Sequence, residues 1–332
     1  MRNNSSATQN LEQPLSWNPL SGIGWGLIGV AAFSFTVPFT RVAVEGMSAL
    51  FVGSGRAVVA AVLATVVLCI SRQTLPRGAQ WKRLAVVAGG IVVGFPLLTS
   101  FALTTVDASH SAVVIALLPA ATAMVAVLRM RERPGAAFWV ATCVGVIAAL
   151  GFALAQSGGF GELAWADLLL IGAVMAAAVG YAEGGLLARE LGAWQTVSWA
   201  LVLASPVMLF LTVFALVQDP VSATPVQWAA FSYLGVVSMF LGFFAWYRGL
   251  AIGPMTRVSQ IQLVQPVLTI GWAALLLGED LTLATVIGGV AVVLCAGSAV
   301  RTRVKGRSGA GLWRCSRMIS RSRRGSFAIR PR

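Results

Sequence analysis

Two ionisable residues stand inside long apolar runs, where a charge costs about 2.5–3.5 kcal/mol even on lenient insertion scales. They are Glu183, in AAAVGYAEGGLLAREL, and Arg56, in FVGSGRAVVAA. A carboxylate at that depth can take up a proton, its pKa raised by burial, or act as counter-charge for a substrate amine. It can equally line a wet vestibule or pair with a basic loop residue. Arg56 can bind a substrate carboxylate, or it can tether helices and snorkel outward. At ~1.5 Å rise per residue the two differ in depth by roughly 10 Å, so a direct pair between them is not expected.

Uncharged polar groups form a second layer. Ser259, Gln260, Gln262 and Gln265 precede Pro266 in VSQIQLVQP, and Ser259, Gln262 and Pro266 share one helical face. Three glutamines are expensive facing lipid, so they are expected to point inward, into a cavity or toward another helix. Thr99 and Ser100 follow Pro96, and Ser34 and Thr36 precede Pro38. With Tyr181, Tyr233, Ser238 and Trp246 they are further candidates for cavity lining. Gly180, Gly184 and Gly185 flank Glu183 and permit close approach of a helix or ligand. His110, the single histidine, and Asp107 lie in TTVDASHSAV, where they can cap a helix or sense pH.

The elements that position these groups follow from composition. The chain is 58% hydrophobic and 11% charged, with a mean hydropathy of +0.83. A soluble protein would carry about a quarter charged residues. Apolar blocks of ~20 residues match the ~30 Å hydrocarbon core, and the short alternating segments of a β-barrel are absent. An all-α membrane protein of ten spans is expected: 22–41, 48–70, 84–104, 109–128, 136–156, 166–187, 194–216, 226–247, 256–277 and 281–300. Residues 1–21 are polar and do not read as a cleaved signal. The four cysteines form no CxxC pair, which predicts neither a disulfide nor a metal site.

Basic residues collect in alternate loops, which predicts both termini in the cytoplasm. Residues 301–332 hold eleven Arg/Lys and no acid, so the rest of the +13 chain is only about +2. The tail reads as a disordered cytoplasmic extension resting on anionic lipid, and the charge is not a nucleic-acid signature. Trp17, Trp25, Trp81, Trp165 and Trp228 fall near span ends, as an interfacial belt would.

The chain also repeats itself. At an offset of 147, Pro119 lies over Pro266 and Glu132 over Glu279, within a longer match of 101–133 to 248–280. Five-span halves, 22–156 and 166–300, joined by an external linker at 157–165, predict an inverted-topology repeat. Matched prolines predict paired kinks flanking a cavity, and the two acids are expected to cap the helix that follows each turn. The arrangement, with PVLTIGWAALLLGEDLTLATVIGGVAVVLCAG at its end, resembles the EamA-like branch of the drug/metabolite transporter superfamily. The first half departs from that pattern, with RMRERP in place of the usual Gly-Glu.

The resemblance implies a secondary transporter, most often an exporter, moving small metabolites or drugs across the bacterial inner membrane by alternating access. Proton coupling is one reading of Glu183, and a homodimer is compatible with it. No phosphate-cradling loop, filter-like segment or clustered catalytic groups argue for an ATPase, a channel or a membrane enzyme, and no cofactor is expected. The site expected from the sequence comprises Glu183, Tyr181, Gln262, Gln265, Ser259 and Arg56 for substrate or coupling. Pro119, Pro266, Thr36, Pro38, Pro96, Thr99 and Ser238 are expected at the cavity or its kinks.

Overall fold

The computed structural model describes residues 19–129, 165–252 and 261–283, with shorter pieces between 136 and 148 and between 285 and 298. The expected span 136–156 falls largely outside these residues, as do Ser259, Glu132 and both terminal tails. Among the described residues the chain is helical and carries no strand. Seven helices are long and apolar enough to cross a bilayer. They are α1 (Gly22–Val44), α2 (Ala49–Ile70), α3 (Ala79–Ala102), α4 (Ala108–Arg129), α5 (Trp165–Leu191), α6 (Ala193–Gln218) and α7 (Pro225–Ile252). Two shorter apolar helices follow, α8 (Gln262–Leu277) and α9 (Thr285–Cys295). The seven fall on expected spans one to four and six to eight, and the shorter two on the ninth and tenth. The described helices therefore do not by themselves make up the expected ten.

Helix ends follow local chemistry. Ser48 caps α2 through Phe51 N–H, and Thr224 forms a capping box with Gln227 around Pro225 at the start of α7. α8 stops at Gly278, whose φ of 67° is a left-handed conformation that glycine adopts without a Cβ penalty. That turn sends Glu279 away from the α8 axis.

The helices interleave rather than forming two separate bundles. α1 packs along α7, α2 along α6 and α7, α3 and α4 along α5, and α8 against α1 and α4. In lipid no hydrophobic force drives helices together, so small residues and close contact must do it. Ala60, Ala64, Ala177 and Ala178 are fully buried accordingly. Gly184 faces the Tyr247 hydroxyl, and Gly180 lies against Gly90, where α3 and α5 meet backbone to backbone. A Cβ on Gly90 would collide with the Ala176 carbonyl and lie 2.9 Å from Gly180 N, whereas one on neighbouring Gly89 would meet nothing within 4 Å. Gly90→Ala is therefore expected to cost about 1–3 kcal/mol. Thermal unfolding of the purified protein in detergent should show it, with Gly89→Ala unchanged; equal melting of the two variants would refute the contact.

The lipid-facing side is apolar, with Val62, Ile70, Phe210 and Leu276 exposed. Trp165, Trp228 and Trp25 are exposed near helix ends, and the Arg248 guanidinium sits 5.1 Å from the Trp25 ring centre.

Several helices depart from regular α geometry where they approach one another. Pro38 leaves the Ser34 carbonyl without its helical donor, and Thr269 Oγ1 of α8 donates to that oxygen at 2.9 Å. α3 widens into a π-helical segment, Ala88–Gly94, just before Pro96. The wider turn relieves the clash between a proline ring and the carbonyl four residues back. α7 carries its own π segment, Leu234–Leu241. α4 breaks into a turn at 116–117, ahead of Pro119, and α8 opens with a 3-10 turn, Gln262–Val264, ahead of Pro266.

Candidate functional site

These irregular segments meet around two adjoining cavities. The larger, about 30 Å³, is lined by residues from α1, α2, α3, α4, α5, α7 and α8. Thr36, Arg56, Pro96, Tyr181, Ser238 and Gln265 supply most of its polar or bent elements, and Phe33, Phe95 and Phe243 its aromatic walls. The smaller, about 10 Å³, is lined by both kink prolines, Pro119 and Pro266, with Gln262 and Gln265. The two share Val37, Leu118 and Gln265. One water needs ~10–15 Å³ of such space, so the pair of cavities admits a few waters and no organic solute of metabolite size.

Arg56 is 2% exposed. Its Nη1 donates to Thr40 Oγ1 at 3.3 Å, and its Nη2 to the Pro96 carbonyl at 2.8 Å and Thr99 Oγ1 at 3.2 Å. All three acceptors are neutral. Thr99 thus acts on the cavity through Arg56. Thr36 and Ser238 hydrogen-bond to each other at 2.7 Å, joining α1 to the π segment of α7. Pro38 is buried but lies outside the lining. The Gln262 Nε2 and Gln265 Oε1 atoms are buried without a partner.

Glu183 does not reach the cavity. It lies toward the end of α5, 6% exposed, with Arg83 Nε donating to one carboxylate oxygen and Arg129 Nε to the other at 2.9 Å. Arg83 also pairs with Glu190. The carboxylate thereby ties α3, α4 and α5 together. Of the readings open for it, pairing with a basic residue near the helix ends is the one present. Arg83 takes part because α3 begins at Ala79, five residues before the expected start.

At the opposite end the acids act across the molecule. Glu279 accepts from the backbone N–H groups of Ala108 and Ser109, at 2.8 and 2.9 Å, capping α4 rather than the helix that follows its own turn. Gly278 makes this possible by turning the chain toward α4. His110 Nε2 bonds Asp167 Oδ1 of α5 at 2.7 Å, so its acid partner is Asp167 and not Asp107. Asp107 occupies the N-cap position of α4 without making a side-chain cap. Arg41 Nη1 donates to the Leu103 carbonyl at the same end.

Several participants were not expected from the sequence, among them Arg83, Arg129 and Asp167. The first two lay at expected span boundaries and read as topology signals. Asp167 opens the first turn of α5, where an acid reads as an ordinary helix-start residue.

A polytopic helix bundle with a small cavity among seven of its helices and carboxylate ties at both ends is the build of a membrane transporter. The model of the EamA-like transporter family matches the chain twice, over residues 20–154 and 164–299, and the chain belongs to that family. It is 42% identical over 288 residues to YdeK of Bacillus subtilis (strain 168), described as an uncharacterized transporter; the match covers 84% of this chain and 97% of YdeK. A solved crystal structure, titled only as that of a protein, is 16% identical and superposes with a TM-score of 0.60, covering 85% of this chain and 98% of its own. That likeness speaks to the fold alone.

Proposed function

We propose that this protein is a secondary transporter working by alternating access, two inverted five-span halves rocking about the central cavity. The observation that carries the proposal is a cavity with a few polar groups held between two different ties: Glu183 with Arg83 and Arg129 at one end, and Glu279 with the α4 N-terminus at the other. A carrier that opens one side at a time needs separable contacts of this kind. The inverted repeat draws support from the matching irregularities. The π segments end at Gly94 and Leu241, separated by the same offset of 147 as the repeat. The turn ahead of Pro119 ends at 117 and the turn ahead of Pro266 at Val264, again at that offset.

The sorting of basic residues supports a cytoplasmic Arg83 end, with both termini on that side, and the membrane of this reading is the bacterial inner membrane. The lining of aromatic rings, amides and hydroxyls suits small metabolites or drugs, and the family resemblance supports export as the direction. Glu183, held by two guanidinium groups, serves as the cytoplasmic tie rather than as a proton relay.

The test is solute flux by purified protein in liposomes, with carboxylate, amine and amino-acid panels supplied with and without a proton gradient. Saturable flux of at least one compound, absent from protein-free vesicles, is expected. Flux that rises linearly without saturation, as through a pore, would overturn the carrier reading.

A further inference from the structure

We infer that Arg56 is an anion subsite, so the transported solutes carry a carboxylate and bind with it against the guanidinium. The inference rests on the carrier reading above and gives it a substrate class. Arginine stays protonated inside proteins, so Arg56 brings a full positive charge into the bundle. A buried charge is expensive unless a counter-charge and hydrogen bonds compensate it. Among the described residues no carboxylate pairs with Arg56, and the acids deepest in the bundle are engaged elsewhere. Asp167 bonds His110, and Glu183 holds Arg83 and Arg129. Glu12, Glu132 and Glu162 lie in polar segments between or beyond the apolar runs.

Three N–H···O bonds to neutral oxygens hold Arg56 in place, and its Nε remains buried without an acceptor. The residue lines the larger cavity, which has room for a few waters or one small polar group and excludes a bulky body in this conformation. Around it stand Phe33, Phe95, Tyr181 and Phe243, which suit an apolar or aromatic body once the cavity widens. Gln265 Oε1, also without a partner, lines the same space and can accept from a second polar group on the solute. A site built for an amine would need the opposite charge here. A solute with several phosphates would need more than one arginine.

Equilibrium binding to the purified protein in detergent tests this with three probes that share a phenyl ring: 3-phenylpropionate, 2-phenylethylamine and 3-phenylpropanol. The carboxylate is expected to bind, and the amine and alcohol to bind at least about 10-fold more weakly. Arg56→Gln should weaken the carboxylate by about 10-fold or more and leave the alcohol unchanged; Arg56→Lys should restore part of the loss. Monodisperse elution checks that each variant is folded, and if Arg56→Gln fails it, Arg56→Lys alone must weaken the carboxylate selectively. Binding of the carboxylate unchanged in the variants, preference for the amine, or no carboxylate binding at all would overturn the subsite. Saturable flux of an amine but of no carboxylate would sink the inference while leaving the carrier reading standing. Carboxylate binding without flux would do the reverse.

Discussion

Glu183→Gln is expected to destabilise the protein by about 3 kcal/mol and to open the Arg83 end of the cavity. The substitution keeps the shape of the side chain and removes its charge. Two guanidinium groups then face an amide whose NH₂ cannot accept from them. Breaking a buried pair from one side costs about 3–5 kcal/mol, while exposed pairs contribute ~1 kcal/mol or less. Glu183 is buried, the Arg83 side chain is 22% exposed and that of Arg129 is 54% exposed, so the loss falls at the lower edge of the buried range. Glu190→Gln, at the exposed arm of the same network, should change stability by less than about 1 kcal/mol. Thermal unfolding in detergent separates the two.

Opening can be read with a cysteine at Ser238, in a background lacking the four native cysteines, and a membrane-impermeant thiol reagent. Glu183→Gln should raise labelling in inside-out vesicles, where the Arg83 end faces the reagent. Unchanged labelling would make the network a packing contact only.

Glu279→Ala is the mirror experiment. Its two carboxylate oxygens satisfy the N–H groups of Ala108 and Ser109, at the positive end of the α4 dipole. Losing a helix N-cap costs about 0.5–2 kcal/mol, and the paired geometry places Glu279→Ala near the upper end. The same cysteine should then label faster in right-side-out vesicles. Both variants favouring the same side would refute the assignment of the two ties to opposite gates.

The described spans, and those candidates that line the cavities, were legible because their signals are local. A block of ~20 apolar residues announces a span from its own length. Prolines announce kinks wherever they fall, so Pro119 and Pro266 could be placed at a cavity before their surroundings were known. Gln262 and Gln265 announced an interior face because lipid could not take them. Pairings were illegible because they join distant residues. Glu183 and Arg83 are 100 positions apart, Glu279 and Ala108 171. Nothing local marks Asp167, 57 positions away, as a partner of His110. The π segments were hidden as well. A Gly-rich stretch before Pro96 hints at the first, but the second, LGVVSMFL, contains no proline and reads as an ordinary apolar run.

On the proposed carrier reading, the charge of Arg56, which no carboxylate among the described residues offsets, would couple transport to the membrane voltage. With a carboxylate bound, the central site is neutral and the electric field does no work as it changes sides. With the site empty, one positive charge shifts between the potentials of the two compartments, at about 2.3 kcal/mol per 100 mV if the whole field is crossed. An interior-negative potential would therefore favour the empty site facing the cytoplasm, where an exporter loads, and would leave the loaded site free to turn outward. On that reading a single arginine in the cavity would make the voltage a source of direction, and expulsion of anions would need no accompanying proton.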